Sequence, residues 1–282
     1  MKVILSRKGF DAQYGGYPSP ILPDGTLLSL PIPSDDGITY SQLTINNTNY
    51  HDIMVQLNAK INRGNGMENL KNLHECHLDP DLYPNILKRK IGWRGIFGQI
   101  GAAHSHLANQ GVTNNDLFLF FGYFKQTYQK NGRLQFIKNA PELHLIFGYL
   151  FIDYIIQVNH NTPVKNWMKY HPHVSSNERK NISTNTIYIA KETSNWDPNI
   201  PGFGYFKYHT DLVLTKNKSQ GAKSRSKWNL PEFFKDTYIS YHKNAWKDDY
   251  FQSVSKGQEF VIHDNTKVVN WAKSLIQNYR EL

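Results

Sequence analysis

The chain has 282 residues, 39% hydrophobic and 20% charged, which supplies apolar material for a sizeable core and excludes a disordered polyelectrolyte. Its net charge of +9 and aromatic content of 13% favour a polyanionic partner, with rings available to stack on bases. A single cysteine, Cys76, excludes an internal disulfide framework; polar residues from position 6 leave no secretory signal pattern, and no apolar run reaches membrane-spanning length, so a cytoplasmic protein is expected.

Val3 to Leu5 is a short apolar run with β propensity and reads as a strand. At its end come Ser6, Arg7 and Lys8, then Asp11, Tyr14, the pair Gly15-Gly16 and Ser19 in a Gly- and Pro-rich loop. Polar groups at the tip of a buried strand are the form a rigidly held site takes. Residues 26–50 carry strand-like runs at Leu27-Leu28 and Leu30, broken by Pro31, Pro33 and an Asp35-Asp36 turn. Residues 51–75 suit a helix or two, with a turn at Arg63-Gly64-Asn65-Gly66. His74, Cys76, His77, Asp79 and Asp81 follow closely, and Asp79-Pro80-Asp81 puts them on a loop.

A helix is expected from Ala102 to Gln110, stopped by Gly111, then a turn over 112–116 and strands at Leu117 to Phe121 and Leu143 to Ile152. Ile187 to Ala190, Gly204 to Tyr208 and Leu212 to Thr215 read as further strands. The last leads into a basic loop bearing Lys216, Lys218, Lys223, Arg225 and Lys227 and ending at Trp228. A strand from Glu259 to His263 precedes a helix from Thr266 to Tyr279, with Val268, Val269, Ala272 and Ile276 at helical spacing. No repeat or long linker interrupts the series. The expected fold is α+β, mostly strand, in a single domain over 1–282.

The strings ILSRKGFD, YGG, PSPI, LPDG and LSLPIP open the chain. HLDPDL at 77–82, GWRGIFGQIGAAHSHLANQGV at 92–112, DLFLFFGYF at 116–124, IFGYL at 146–150, HPH at 171–173 and GQEFV at 257–261 follow in order. Through these strings the chain resembles the nucleotide modification associated domain family, third type, found in bacteria and phages. The resemblance implies a part in modifying DNA bases, with nucleic acid or a nucleotide as partner; it names no cofactor. The succession of helix, acid-bearing turn, apolar strand and Gly-bearing strand is also similar to the core of PUA-like barrels, including the ASCH and EVE domains, although Asn115 stands where those domains have Gly. That likeness implies a barrel core with a pocket for RNA or a modified base.

In this frame Arg7 and Lys8 are expected to hold a phosphate, while Asp11 and Glu259 offer carboxylates for acid–base work. Ser6, Tyr14, Gly15 and Ser19 would complete the contacts of the N-terminal loop. Arg94 and Gln99 would touch a phosphate or base edge; His104, His171 and His173 would line the pocket; Trp228 could stack on an extruded base. The strand entering Arg7, taken with Gln258-Glu259, is similar to the arginine and terminal glutamate of ADP-ribosyltransferases, where the Arg positions the dinucleotide and the Glu acts at the sugar carbon.

The histidines match neither HExxH nor any paired-cysteine zinc spacing, so they read as hydrogen-bonded pocket residues and no metal is assigned. Cys76 would need a lowered thiol pKa to serve as a nucleophile and reads as inert. The expectation is a base-modification protein with a basic pocket built on the SRKGFD loop, in which Arg7 and Glu259 face one cavity. A non-catalytic reader of modified bases and an NAD-using transferase are the rival classes.

Overall fold

The computed structural model describes residues 1–63, 66–216, 224–242, 244–254 and 259–281. Its centre is two long strands that each begin with an almost unbroken run of large apolar residues. We label the strands of the main sheet β1 (Val3–Arg7), β2 (Ser19–Ile21), β3 (Ile96–Gln99), β4 (Leu117–Lys130), β5 (Arg133–Phe136), β6 (Leu143–Gln157), β7 (Thr186–Ala190), β8 (Phe203–Tyr205) and β9 (Glu259–Ile262). The helices are α1 (Tyr50–Gln56), α2 (Gly101–Asn109), α3 (Pro172–Ser175), α4 (Asn177–Lys180) and α5 (Thr266–Tyr279).

The strand order is β9-β1-β4-β6-β7-β3. β1 lies parallel to β4, from Val3 opposite Leu117 to Arg7 opposite Phe121, and β2 continues along the same strand with Ser19 opposite Phe124. β6 pairs antiparallel with β4 and gives its other edge first to β8 and then to β7. Leu117 to Phe124 and Leu143 to Ile152 are buried residue by residue. Both faces of these strands are covered, which is why neither sequence alternates polar and apolar residues.

Gly148 in β6 is required by close packing. A Cβ there would lie 2.5 Å from Leu82 Cδ1 and 3.0 Å from the Gly204 carbonyl oxygen, and the β4–β6 register shifts between Ile146 and Gly148. The closing helix α5 is capped by Asn265, whose side chain accepts from the Lys267 and Val268 N–H groups, and it buries Val268, Ala272, Leu275 and Ile276.

Strand outweighs helix, and the fold is mixed α+β as expected. The PUA-like expectation of a barrel core is overturned: β9 and β3 remain the two ends of an open sheet, and no backbone ladder joins them among the described residues. Leu212 to Thr215 is not a strand; Thr210–Leu212 forms a 3-10 turn, followed by isolated bridges from Val213 to Leu145 and from Thr215 to Trp228. Leu27, Leu28 and Leu30 are buried in a loop tied down by single bridges rather than in strands. Residues 51–75 give α1 and then a small hairpin, Lys60–Asn62 with Met67–Asn69; Gly64 and Asn65 of the expected turn lie outside the described residues. No described helix is long and apolar enough to cross a membrane.

Candidate functional site

Successive side chains of a strand point to opposite faces of its sheet, and this alternation divides the end of β1. Ser6 is opposite Glu259 in the β1–β9 register, while Arg7 is opposite Phe121 in the β1–β4 register. Arg7 and Glu259 therefore serve different faces of the sheet, and the structure does not bring them to one cavity.

On the Arg7 face lies a cleft of about 1070 Å³. Arg7, Asp11, Tyr123, Glu142, His144 and Arg225 line it, and Lys125, Lys138 and Lys216 add charge to its wall. The Arg7 guanidinium donates to the Val254 carbonyl (2.8 Å) and lies 5.8 Å from the Phe121 ring centroid. Burial lowers its pKa from the ordinary arginine value, with nearby Asp11 opposing that shift. Arg225 lies 3.9 Å over the Tyr123 ring and pairs with Glu142 (3.1 Å). Asp11 accepts from the Gln13 and Tyr14 N–H groups, each at 2.7 Å, and so shapes the loop as well as lining the cleft.

His144 is the residue sequence reasoning missed here. It interrupts the apolar run of β6, and a buried polar residue in such a run is the signal that could have found it. Its Nδ1 accepts from the Trp228 indole N–H (3.0 Å), which leaves the proton of the neutral ring on Nε2. Desolvation first, then Arg7 and Arg225, hold its pKa well below the usual histidine value. Trp228 itself is buried between Phe121 and Phe251, so it positions His144 rather than presenting a stacking face. Thr215 accepts from the His144 N–H (2.8 Å) and donates to the Arg225 carbonyl (3.0 Å), tying the start of β6 to the cleft wall. Lys218 and Lys223 of the expected basic loop lie outside the described residues.

The opposite face buries an ion pair. Lys8 Nζ donates to Glu259 Oε1 at 2.8 Å, and Gln99 Nε2 donates to the same oxygen at 2.6 Å. Lys8 also stands 4.6 Å from the Phe97 ring centroid. Glu259 is thus engaged with a lysine rather than with Arg7, and the two-residue arrangement expected from the transferase resemblance is not assembled; Gln258 lies outside the described residues. His104 contacts the Tyr188 hydroxyl (3.1 Å).

A third group gathers around Asp79. His171 and His173 were expected beside Arg7; instead His171 Nε2 is 3.2 Å from Asp79 Oδ1, and His173 Nε2 is 4.0 Å from Asp79 Oδ2. His77 joins them, with Nε2 3.7 Å from Asp79 Oδ2. Burial holds the His173 pKa down to about 3, against the pull of Asp79, while the Asp79 carboxyl is lowered to about 2 by His171, His173 and His77 in spite of its own burial.

Most of the remaining expected residues have structural partners, whereas the buried Ser6 hydroxyl has no hydrogen-bond partner among the described residues. Arg94 pairs with Asp153 (2.9 Å), and Ser19 Oγ accepts from the Leu30 N–H (3.1 Å). Gly15, at φ +86°, leaves room for the Phe10 ring, whose Cγ would lie 2.1 Å from an added Cβ. Tyr14 is exposed and bridges to Arg63, and Ser6 is wholly buried. Cys76 is buried too, and burial pushes its thiol pKa well up.

The fold and cleft define a mixed α+β protein with a curved open sheet and a charged cleft at the end of its first strand. The chain belongs to the nucleotide modification associated domain 3 family, whose sequence model matches residues 2–263. That membership suggests a role associated with nucleotide modification. No curated protein and no solved structure matches the chain.

Proposed function

We propose that the cleft beside β1 binds the phosphate-bearing part of a nucleotide or of a DNA segment, and that the family's nucleotide-modification role is exercised there. The observation that carries this reading is the charge of the lining: among the described residues, Arg7, Lys125, Lys138, Lys216 and Arg225 stand against Asp11 and Glu142. Cations focused in a concave wall attract polyanions, and guanidinium groups match phosphate oxygens in pairs. The cleft, at about 1070 Å³, is roomy enough for a nucleotide with its base, and Tyr123 and Tyr208 offer rings beside it.

His144 has its Nδ1 occupied by Trp228, so it would meet a bound group through Nε2–H, as a neutral donor. Arg7 then serves as a phosphate ligand at a rigid strand end, and Asp11 supplies a carboxylate close by.

The test is equilibrium binding of nucleoside phosphates and short DNA duplexes to the intact chain and to Arg7→Ala and Arg225→Ala. Binding should weaken at least tenfold in each variant, and the wild-type affinity should fall with salt, with a log–log slope of roughly −0.9 for each phosphate neutralised. Folded variants that bind as well as the wild type would remove the cleft from the function.

A further inference from the structure

We propose that His77, Asp79 and His173 form a binding site for a first-row divalent transition-metal ion. This site is separate from the cleft. One ligand atom from each of His77, Asp79 and His173 lies within 4.8 Å of the others, and the Nε2 atoms of both histidines face Asp79 Oδ2. The two nitrogens are 3.7 Å and 4.0 Å from the carboxylate oxygen, both beyond hydrogen-bond reach. Three ligand atoms thus converge without bonding to each other. A tetrahedral ion with bonds near 2.1 Å spaces its ligands by roughly 3.4 Å, so small side-chain rotations would close the set.

The groups behind these three atoms are those that metal ligands require. His77 Nδ1 is held at 2.7 Å by Asp36 Oδ2, and Asp36 is itself fixed by Arg179. His173 Nδ1 is held at 2.8 Å by Asn185 Oδ1, and the amide orientation of Asn185 is set because its Nδ2 donates to the Val158 (3.1 Å) and His173 (2.9 Å) carbonyls. Both imidazoles therefore carry their protons on Nδ1 and turn Nε2 inward. A carboxylate or amide oxygen on the far nitrogen fixes the tautomer and raises the basicity of a ligating histidine. The other Asp79 oxygen is anchored by the Gly98 N–H (2.8 Å) and His171 Nε2 (3.2 Å), which leaves Oδ2 for the ion.

Gly98 is part of the construction. A Cβ at that position would lie 2.2 Å from His173 Cδ2, so glycine lets the imidazole lie against β3. The His77 side chain keeps 14% exposure, giving water and an ion a way in. Two imidazoles and one carboxylate suit zinc, ferrous or manganous ions rather than magnesium or calcium, and three protein ligands leave further positions for water.

The test titrates Co²⁺ into chelator-treated, full-length protein and follows visible ligand-field absorption. A single saturable equivalent is expected, displaced by Zn²⁺, with affinity lowered at least tenfold in His77→Gln and in Gly98→Ala. A wild-type readout independent of variant folding is the hyperfine shift of exchangeable imidazole protons: Co²⁺ should strongly shift two Nδ1–H resonances, because both ligands coordinate through Nε2. Absence of saturable Co²⁺ binding by the wild type, binding without that pair of shifts, or a spectrum unchanged in both folded variants would overturn the proposal.

Discussion

Gln99 and Glu259 stand on the two outermost strands of the main sheet, yet the Gln99 amide donates to the Glu259 carboxylate at 2.6 Å. The sheet is therefore curled until its opposite ends meet through side chains, with no strand pairing between them among the described residues. Lys8 shares the same carboxylate oxygen, so a buried polar junction takes the place of barrel closure.

This junction should be costly to break from one side only. Lys8→Met leaves Glu259, 1% exposed, without its counter-charge and is expected to destabilise the protein by about 3–5 kcal/mol in urea denaturation. Replacing both partners, as Lys8→Met with Glu259→Leu, should recover most of that loss, because the desolvation cost of two charges leaves with them. A double variant no better than the single would show that packing, and not charge, holds the junction.

Stability should fall on the acid side. His104, His106, His144 and His242 all have pKa values below the ordinary histidine value, chiefly because burial disfavours the imidazolium. A lowered folded-state pKa means that the unfolded chain binds more protons once pH drops below about 6.5, so stability is intact above that pH and is lost as pH falls. His144, almost wholly buried, would supply up to about 1.4 kcal/mol per pH unit in this range. Thermal midpoints of the wild type and His144→Phe, measured from pH 8 to 5, should diverge at neutral pH and draw together on acidification.

The loop carrying Asp81 depends on Arg89. Its guanidinium grips Asp81 through two bonds of 2.6 Å each, and Asp81 is fully buried. Arg89→Ala should cost about 3–5 kcal/mol by stranding that carboxylate. Arg89→Lys should recover little, since an ammonium cannot form the paired contact. Chemical denaturation of the two variants checks both statements.

Gly148→Ala tests the crowding of β6 against Leu82. The added methyl would overlap Leu82 Cδ1 and should destabilise by about 1–3 kcal/mol. Combining it with Leu82→Ala should give less than the sum of the two separate losses, because the truncated leucine makes room for the new methyl. Strict additivity in denaturation midpoints would contradict the contact.

Local sequence was sufficient for what local physics controls. The apolar runs of β4 and β6, the α2 helix with Gly111 just beyond it, and the amphipathic α5 were legible from periodicity and stop signals, since each depends on neighbours a few residues away. The ordered strings from Ile4 onward were enough to suggest the family. What residue order could not convey was which side chains share a face. Adjacent residues such as Arg7 and Lys8 part to opposite sides of a strand, whereas Asp79 and His173, or Gln99 and Glu259, meet only because the sheet folds them together. Strand alternation and sheet curvature therefore decided the composition of each cluster: they separated Arg7 from Glu259, placed His144 beside Arg7, and moved the paired histidines to Asp79.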